Sequence, residues 1–223
     1  MNYIYLLIEI IIIFLLMTLF YKFGKKDGLF LYISLMATLL NLFMFKTVDI
    51  LSFEIDLGIP FIMGIFICSN VIIQRYGIDE VKEIIKSFVV PYVITMFILS
   101  LVSLTGGSEY NIITNNSYNS LFGYSIDNIR INVGYLLSIS FAIWCNSYIY
   151  YYIRVNKNKY MLSNIGSLFT VQFIEGIIFM LITYVGNVDI TVLFGMLMIR
   201  YLFKVLIGII GLLPFAIVLK MKS

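Results

Sequence analysis

The chain has 223 residues, 61% hydrophobic and 12% charged, with a formal net charge of +3 and no histidine, and its mean hydropathy is +1.01. A soluble domain cannot hide that much apolar surface, and repeated long apolar runs point to membrane helices rather than to the alternating strands of an outer-membrane barrel. Without histidine, Ser-His and His-metal catalysis are excluded. No nucleotide-binding Gly-rich loop is present to drive a primary pump, and the small basic excess sits in loops, where it is no nucleic-acid footprint.

The pattern predicts an all-α integral membrane protein, a polytopic bundle of seven transmembrane helices over residues 3–21, 29–45, 59–74, 84–104, 131–153, 162–185 and 190–219. The first lacks a basic flank and a small-residue cleavage site and carries Glu9, so it reads as a retained helix rather than a signal peptide. Residues 105–128, with Gly106-Gly107-Ser108 and Asn115-Asn116-Ser117, read as a turn-rich external loop over an outer vestibule. Tyr148, Tyr150, Tyr151 and Tyr152 read as an interfacial aromatic belt. Cys68 and Cys145 read as buried thiols. The last apolar run is long for one crossing and is expected to tilt, to bend near Gly208 and Gly211, or to leave the membrane before Pro214.

Basic residues alternate between the two sides. Lys22, Lys25 and Lys26 follow the first span, Arg75, Lys82 and Lys86 the third, Arg154, Lys157 and Lys159 the fifth, and Lys220 and Lys222 close the chain. The other connections hold Lys46 and Arg130 among the acids Asp49, Glu54, Asp56, Glu109, Asp127 and Asp189. The positive-inside rule then puts the N-terminus outside and the C-terminus in the cytoplasm of the cell that holds this protein in its inner (plasma) membrane.

Polar side chains recur inside the spans. Asn41 lies in the second; Asn70 and Gln74 lie one turn apart in the third; Ser138, Ala142 and Asn146 share a stripe of the fifth; Ser167, Gln172 and Glu175 fall near one face of the sixth. In the seventh, Arg200 and Lys204 lie one turn apart, with Gly208 and Gly211 on a similar face. A charge at the bilayer centre costs about 2.5–3.5 kcal/mol or more, and intramembrane ionisable groups usually mark a solute or ion pathway. Glu175 is the natural counter-ion for Arg200 or Lys204. One positive charge is then left over unless Glu9 is near, a lysine deprotonates or water reaches it. These side chains are expected to converge on a shared central cavity. The competing reading is that they only tie helices together.

The same positions carry a family likeness. The stretch Ser69-Asn70-Val71-Ile72-Ile73-Gln74-Arg75-Tyr76-Gly77 resembles the Asp…Glu…Tyr/Phe-Gly motif of the queuosine precursor transporter, or vitamin uptake transporter (VUT), family. Arg130-Ile131 followed by Asn146 and Arg154 resembles its Arg-Ile…Asp…Arg helix; Ser167, Gln172 and Glu175 its Ser…Asn/Gln…Asp helix; Phe203-Lys204-Val205 and Leu213-Pro214 its terminal Lys-Val…Pro helix; Asn41 and Lys46 its early Asn…Lys. Asn70 and Asn146 stand where the family commonly has Asp, and Gln74 where it often has Glu.

The likeness implies one transmembrane domain, 1–223, in which an extra N-terminal helix and cytoplasmic loop (1–27) precede a six-helix transporter core (28–223). It implies uptake of a 7-deazaguanine queuosine precursor or a related small heterocycle; the residues themselves, without histidine or metal-ligand cysteine spacing, lead to the expectation of no enzymatic activity, cofactor or metal. Substrate-binding candidates are Glu175, Gln172, Asn146, Asn70, Gln74, Asn41, Arg200 and Lys204, with Phe173, Phe179 and Trp144 available for stacking on the ring. Expected partners are a deazapurine-like small molecule and the lipid bilayer, with no nucleic acid and the oligomeric state open. Alternatives are a small-molecule-binding subunit of a multi-component vitamin importer and a diverged accessory membrane protein that does not transport. A reporter fused to the C-terminus is expected to be active only in its cytoplasmic form; activity of an extracytoplasmic reporter there would reverse the topology.

Overall fold

The computed structural model describes residues 2–50, 53–107, 111–157 and 159–221. Helix α1 (Asn2–Phe43) is two arms joined at Lys25, whose φ of 49° and ψ of −122° break the helical path. The arms fold back on each other: the Tyr32 hydroxyl donates to the Ile13 carbonyl at 3.2 Å, and the Phe20 and Tyr32 rings lie 6.1 Å apart. In one straight helix residues 13 and 32 would be about 28 Å apart at 1.5 Å per residue. The single long helix is therefore a hairpin of two crossings, as the first two predicted spans require.

A short antiparallel ribbon follows, β1 (Thr47–Ile50) and β2 (Phe53–Asp56), with Thr47 opposite Asp56. Sequence reading had treated this stretch as a plain loop. Helix α2 (Ile59–Tyr76) starts on Pro60, whose missing N–H is harmless in a first turn. It is the post of the bundle, buried continuously from Ile59 to Ile73. Helix α3 (Val81–Ser103) packs on α1 and α5 at the periphery. Pro91 inside it cannot donate to the Ser87 carbonyl one turn back, and the Ser34 hydroxyl of α1 supplies that bond at 3.0 Å.

Helix α4 (Ile112–Phe122) corrects the reading of 105–128 as an irregular loop: its centre is an exposed helix with no fully buried residue. It is held to α3 by the Tyr118 hydroxyl on the Leu99 carbonyl at 3.1 Å. Glu109 lies outside the described residues. Helices α5 (Ile126–Lys157) and α6 (Tyr160–Thr183) run antiparallel with the most extensive contact in the molecule. Helix α7 (Ile190–Ile210) gives way at Gly211 to α8 (Leu212–Lys220), with Pro214 in the first turn of α8. The junction falls at Gly211, where a Cβ would run into Ile67 of α2 and Phe14 of α1.

Five helices are long and apolar enough to cross a membrane among the described residues. The first of these supplies two crossings through its fold-back, and the more polar α5, at 32 residues, is long enough to add another. The protein is an all-α, multi-pass membrane protein. Its basic connections gather at one end: Lys26 pairs with Glu80 at 2.8 Å, and Arg75 binds the carbonyls of Val218, Leu219 and Met221 at 2.6–3.0 Å. The ribbon lies at the other end, where Arg130 caps the α6 C-terminus through the Val185 carbonyl at 2.6 Å.

The fold-back needs Gly28, because a Cβ there would collide with the Phe20 carbonyl, whereas Gly24 has open space around it. Gly28→Ala is expected to destabilise the detergent-solubilised protein by about 1–3 kcal/mol. Gly24→Ala is expected to leave its thermal midpoint unchanged.

Candidate functional site

The polar side chains of α2, α5, α6 and α7 form tiers stacked along one seam. The first tier, nearest the ribbon, is built on Arg200 of α7, which is 8% exposed. Its Nη1 pairs with Asp56 Oδ2 at the end of β2, and its Nη2 donates to the Tyr135 hydroxyl of α5 at 3.2 Å. The guanidinium lies 4.4 Å from the centre of the Phe179 ring of α6, and Phe179 packs on Tyr135 with ring centres 4.3 Å apart.

One turn along α7, Lys204 is buried and pairs with Glu175 of α6, itself fully buried. The Ser138 hydroxyl of α5 donates to the other Glu175 oxygen at 3.3 Å. One turn farther along α6, Gln172 is 1% exposed, and neither its Nε2 nor its Oε1 has a partner among the described residues.

The third tier is a chain of amides. Asn146 of α5 donates to Asn70 of α2, and Asn70 donates to Asn164 of α6, each at 2.6 Å. Asn70 also reaches the Ser167 hydroxyl at 3.3 Å. Ser138 and Asn146 are eight residues apart on α5, so this tier lies about 12 Å beyond the Glu175 tier. Among the described residues, Asn146 Oδ1 and Asn164 Nδ2 remain without partners. At the basic end, Gln74 Oε1 accepts from the Tyr150 hydroxyl at 2.7 Å and from Arg154 at 2.9 Å.

Cavities flank the seam. One of about 430 Å³ is lined by Asp56, Arg200, Tyr135 and Phe179 at the ribbon end. Another of about 330 Å³ is lined by Gln74, Tyr150 and Arg154 at the basic end. Neither reaches Glu175, Lys204, Asn146 or Asn70. The seam is thus a column of bonded tiers with one of these openings at each end.

Of the eight residues singled out from sequence, Arg200, Lys204, Glu175, Gln172, Asn146 and Asn70 share this seam, and Gln74 ends it. Asn41 stands apart, since its amide bonds the carbonyls of Ala37 and Tyr92, each at 3.2 Å, and ties α1 to α3. The surplus positive charge is resolved by a residue that sequence reading left among the external acids: Asp56, not Glu9, pairs with Arg200. Its signal was its place next to Gly58 and Pro60, just ahead of a span. Phe179 is in the site, whereas Trp144 is 48% exposed and Phe173 packs on Tyr201 at the surface. Tyr150 leaves the interfacial belt, being fully buried against Gln74. Cys68 is buried, Cys145 is half-buried, and both are free. No cluster of three or more His, Cys, Asp or Glu side chains suited to a metal occurs among the described residues.

The profile of the family described as "Putative vitamin uptake transporter" matches residues 56–219, from Asp56 through every tier to the end of α8. The chain belongs to the vitamin uptake transporter family. It is also 27% identical over 209 residues, 92% of this chain and 89% of the relative, to the "Probable queuosine precursor transporter" of Bacillus subtilis (strain 168). No solved structure matches.

Removing one partner of a buried ion pair leaves the other charge unpaired, at about 3–5 kcal/mol. Lys204→Met is therefore expected to lower the thermal midpoint in detergent more than the double variant Lys204→Met/Glu175→Gln does. A double variant whose loss equals the sum of the losses of the two single variants would show that the pair is not coupled.

Proposed function

We propose that this protein imports a queuosine precursor, a 7-deazaguanine-type base or a close heterocyclic relative, across the plasma membrane. The N-terminus lies outside, and a single transmembrane domain (1–223) carries the path. The observation that carries this reading is the buried polar column running between the two end cavities, in a chain of this family. Similarity to the B. subtilis relative supports the substrate class. The positive-inside pattern supports entry at the ribbon end, because the basic connections cluster at the other.

The chemistry of the tiers suits such a base. A deazaguanine presents adjacent N–H donors on its pyrimidine edge, and a carboxylate such as Glu175 accepts from both. Asn70, Asn146, Asn164 and Gln172 offer donors and acceptors together, which matches a ring with a carbonyl beside its N–H groups. A solute lacking these groups leaves buried polar atoms unpaired, and that penalty gives strong discrimination. Lys204 holds Glu175 between solutes, so the arriving base must take over part of the carboxylate that the ammonium occupies. The protein acts as a carrier and not as an enzyme.

Uptake of labelled 7-cyano-7-deazaguanine in a host lacking both its own synthesis and its own importer tests this. Wild type is expected to restore queuosine in tRNA. Glu175→Gln and Asn146→Ala are expected to cut uptake about ten- to hundredfold, the worth of one to two hydrogen bonds to a buried group, with membrane insertion intact. Normal uptake by both correctly inserted variants would remove the tiers from the path.

A further inference from the structure

We propose that Gln74, Tyr150 and Arg154 form the cytoplasmic gate of the carrier, a latch between α2 and α5 that closes the inner mouth of the seam and opens to let the solute leave. The proposal rests on the uptake reading and adds to it the barrier that release must cross.

The latch is the second of two matched rungs. Asn146 donates to Asn70 at 2.6 Å. One turn on along both helices, the Tyr150 hydroxyl donates to Gln74 Oε1 at 2.7 Å. This order of pairing means that α2 and α5 run side by side in the same direction. A further turn along α5, Arg154 Nε donates to the same Gln74 oxygen at 2.9 Å. One neutral oxygen of α2 thus holds two donors of α5. A guanidinium on an amide oxygen makes a weaker contact than on a carboxylate. This closure is therefore lighter than the Arg200–Asp56 and Lys204–Glu175 pairs farther along the seam.

The cavity at the basic end shows where the closure lies. Its volume of about 330 Å³ falls within the roughly 300–1,000 Å³ of small-molecule pockets. Its innermost lining residues are Ile73 and Gln74 on α2 and Tyr150 on α5, one turn short of Asn70 and Asn146. Tyr150 is fully buried, and its ring meets that of Phe215 on α8 edge-on, with centres 6.3 Å apart. Its side chain is therefore the plug between the cavity and the amide tier. Next to Gln74, Arg75 binds the last carbonyls of α8, which fastens α8 to the end of α2. At the cavity, the latch and the Tyr150–Phe215 contact join α5 to that unit, and parting them opens the tier to the cytoplasm.

The test reads access to the amide tier from each side. Ser167→Cys puts a thiol beside Asn70. In a background with Cys68→Ala and Cys145→Ala, it is labelled with a membrane-impermeant methanethiosulfonate in inside-out and in right-side-out vesicles. Slow labelling from both sides is expected with the latch intact, and also in Gln74→Glu, which keeps the acceptor. Gln74→Leu is expected to speed labelling about tenfold or more from the cytoplasmic side alone, the worth of one to two hydrogen bonds. If that variant fails to reach the membrane, Tyr150→Phe, which removes only the hydroxyl, should speed it about threefold on that side. No increase in either variant, rapid labelling in Gln74→Glu, or an equal increase from both sides, as in a protein loosened throughout, would each overturn the gate. An increase from outside alone would keep the gate and reverse the orientation of the carrier. A sided increase without wild-type uptake would keep the gate and refute import; uptake without a sided increase would do the reverse.

Discussion

Two buried cation–carboxylate pairs set the architecture of this protein. Arg200 and Lys204 sit one turn apart on α7, almost wholly removed from solvent, and an ion taken out of water without a partner costs several kcal/mol. Lys204 therefore brings Glu175 and α6 to its side, and Arg200 brings the end of β2. The ribbon is drawn down into the bundle as part of its polar core. Tyr135 and Ser138 of α5 complete the shell around the two pairs, so the face α7 turns inward follows from electrostatics as much as from packing.

The amide tier joins three helices with neutral residues alone. Two carboxylates in contact cannot both ionise and must share a proton. Asn146, Asn70 and Asn164 instead hand hydrogen bonds along in one direction, with Asn70 both receiving and giving. The tier needs no counter-ion, and the charge in the middle of the seam is confined to Lys204 and Glu175.

Much of this was legible in the sequence because the signals were local. The i, i+4 spacing of Arg200 with Lys204, and of Asn70 with Gln74, put each pair on one face; Arg200, Lys204 and Asn70 are buried, and Gln74 lines the cavity at the basic end. The run of Gly208, Gly211 and Pro214 brackets the junction between α7 and α8. What escaped were relations between distant segments. Asp56 looked like one more external acid because nothing nearby reveals a partner 144 residues away. Asn41 looked like Asn70, yet its amide serves α3. The polar stretch around Ile112–Phe122 has turn-forming residues at both flanks, which concealed the short helix between them.

Helix α2 is encased on all sides, with 83% of its spanning window buried, and it is the least apolar of the candidate spans. During synthesis it enters the bilayer carrying Asn70 and Gln74 before α5 and α6, which satisfy them, have been made. The only earlier neighbour is the folded-back α1, whose Ile13 and Tyr32 meet α2 at Gly64. The N-terminal arms thus cover one flank of a weakly apolar segment whose polar side chains are met by helices far later in the chain.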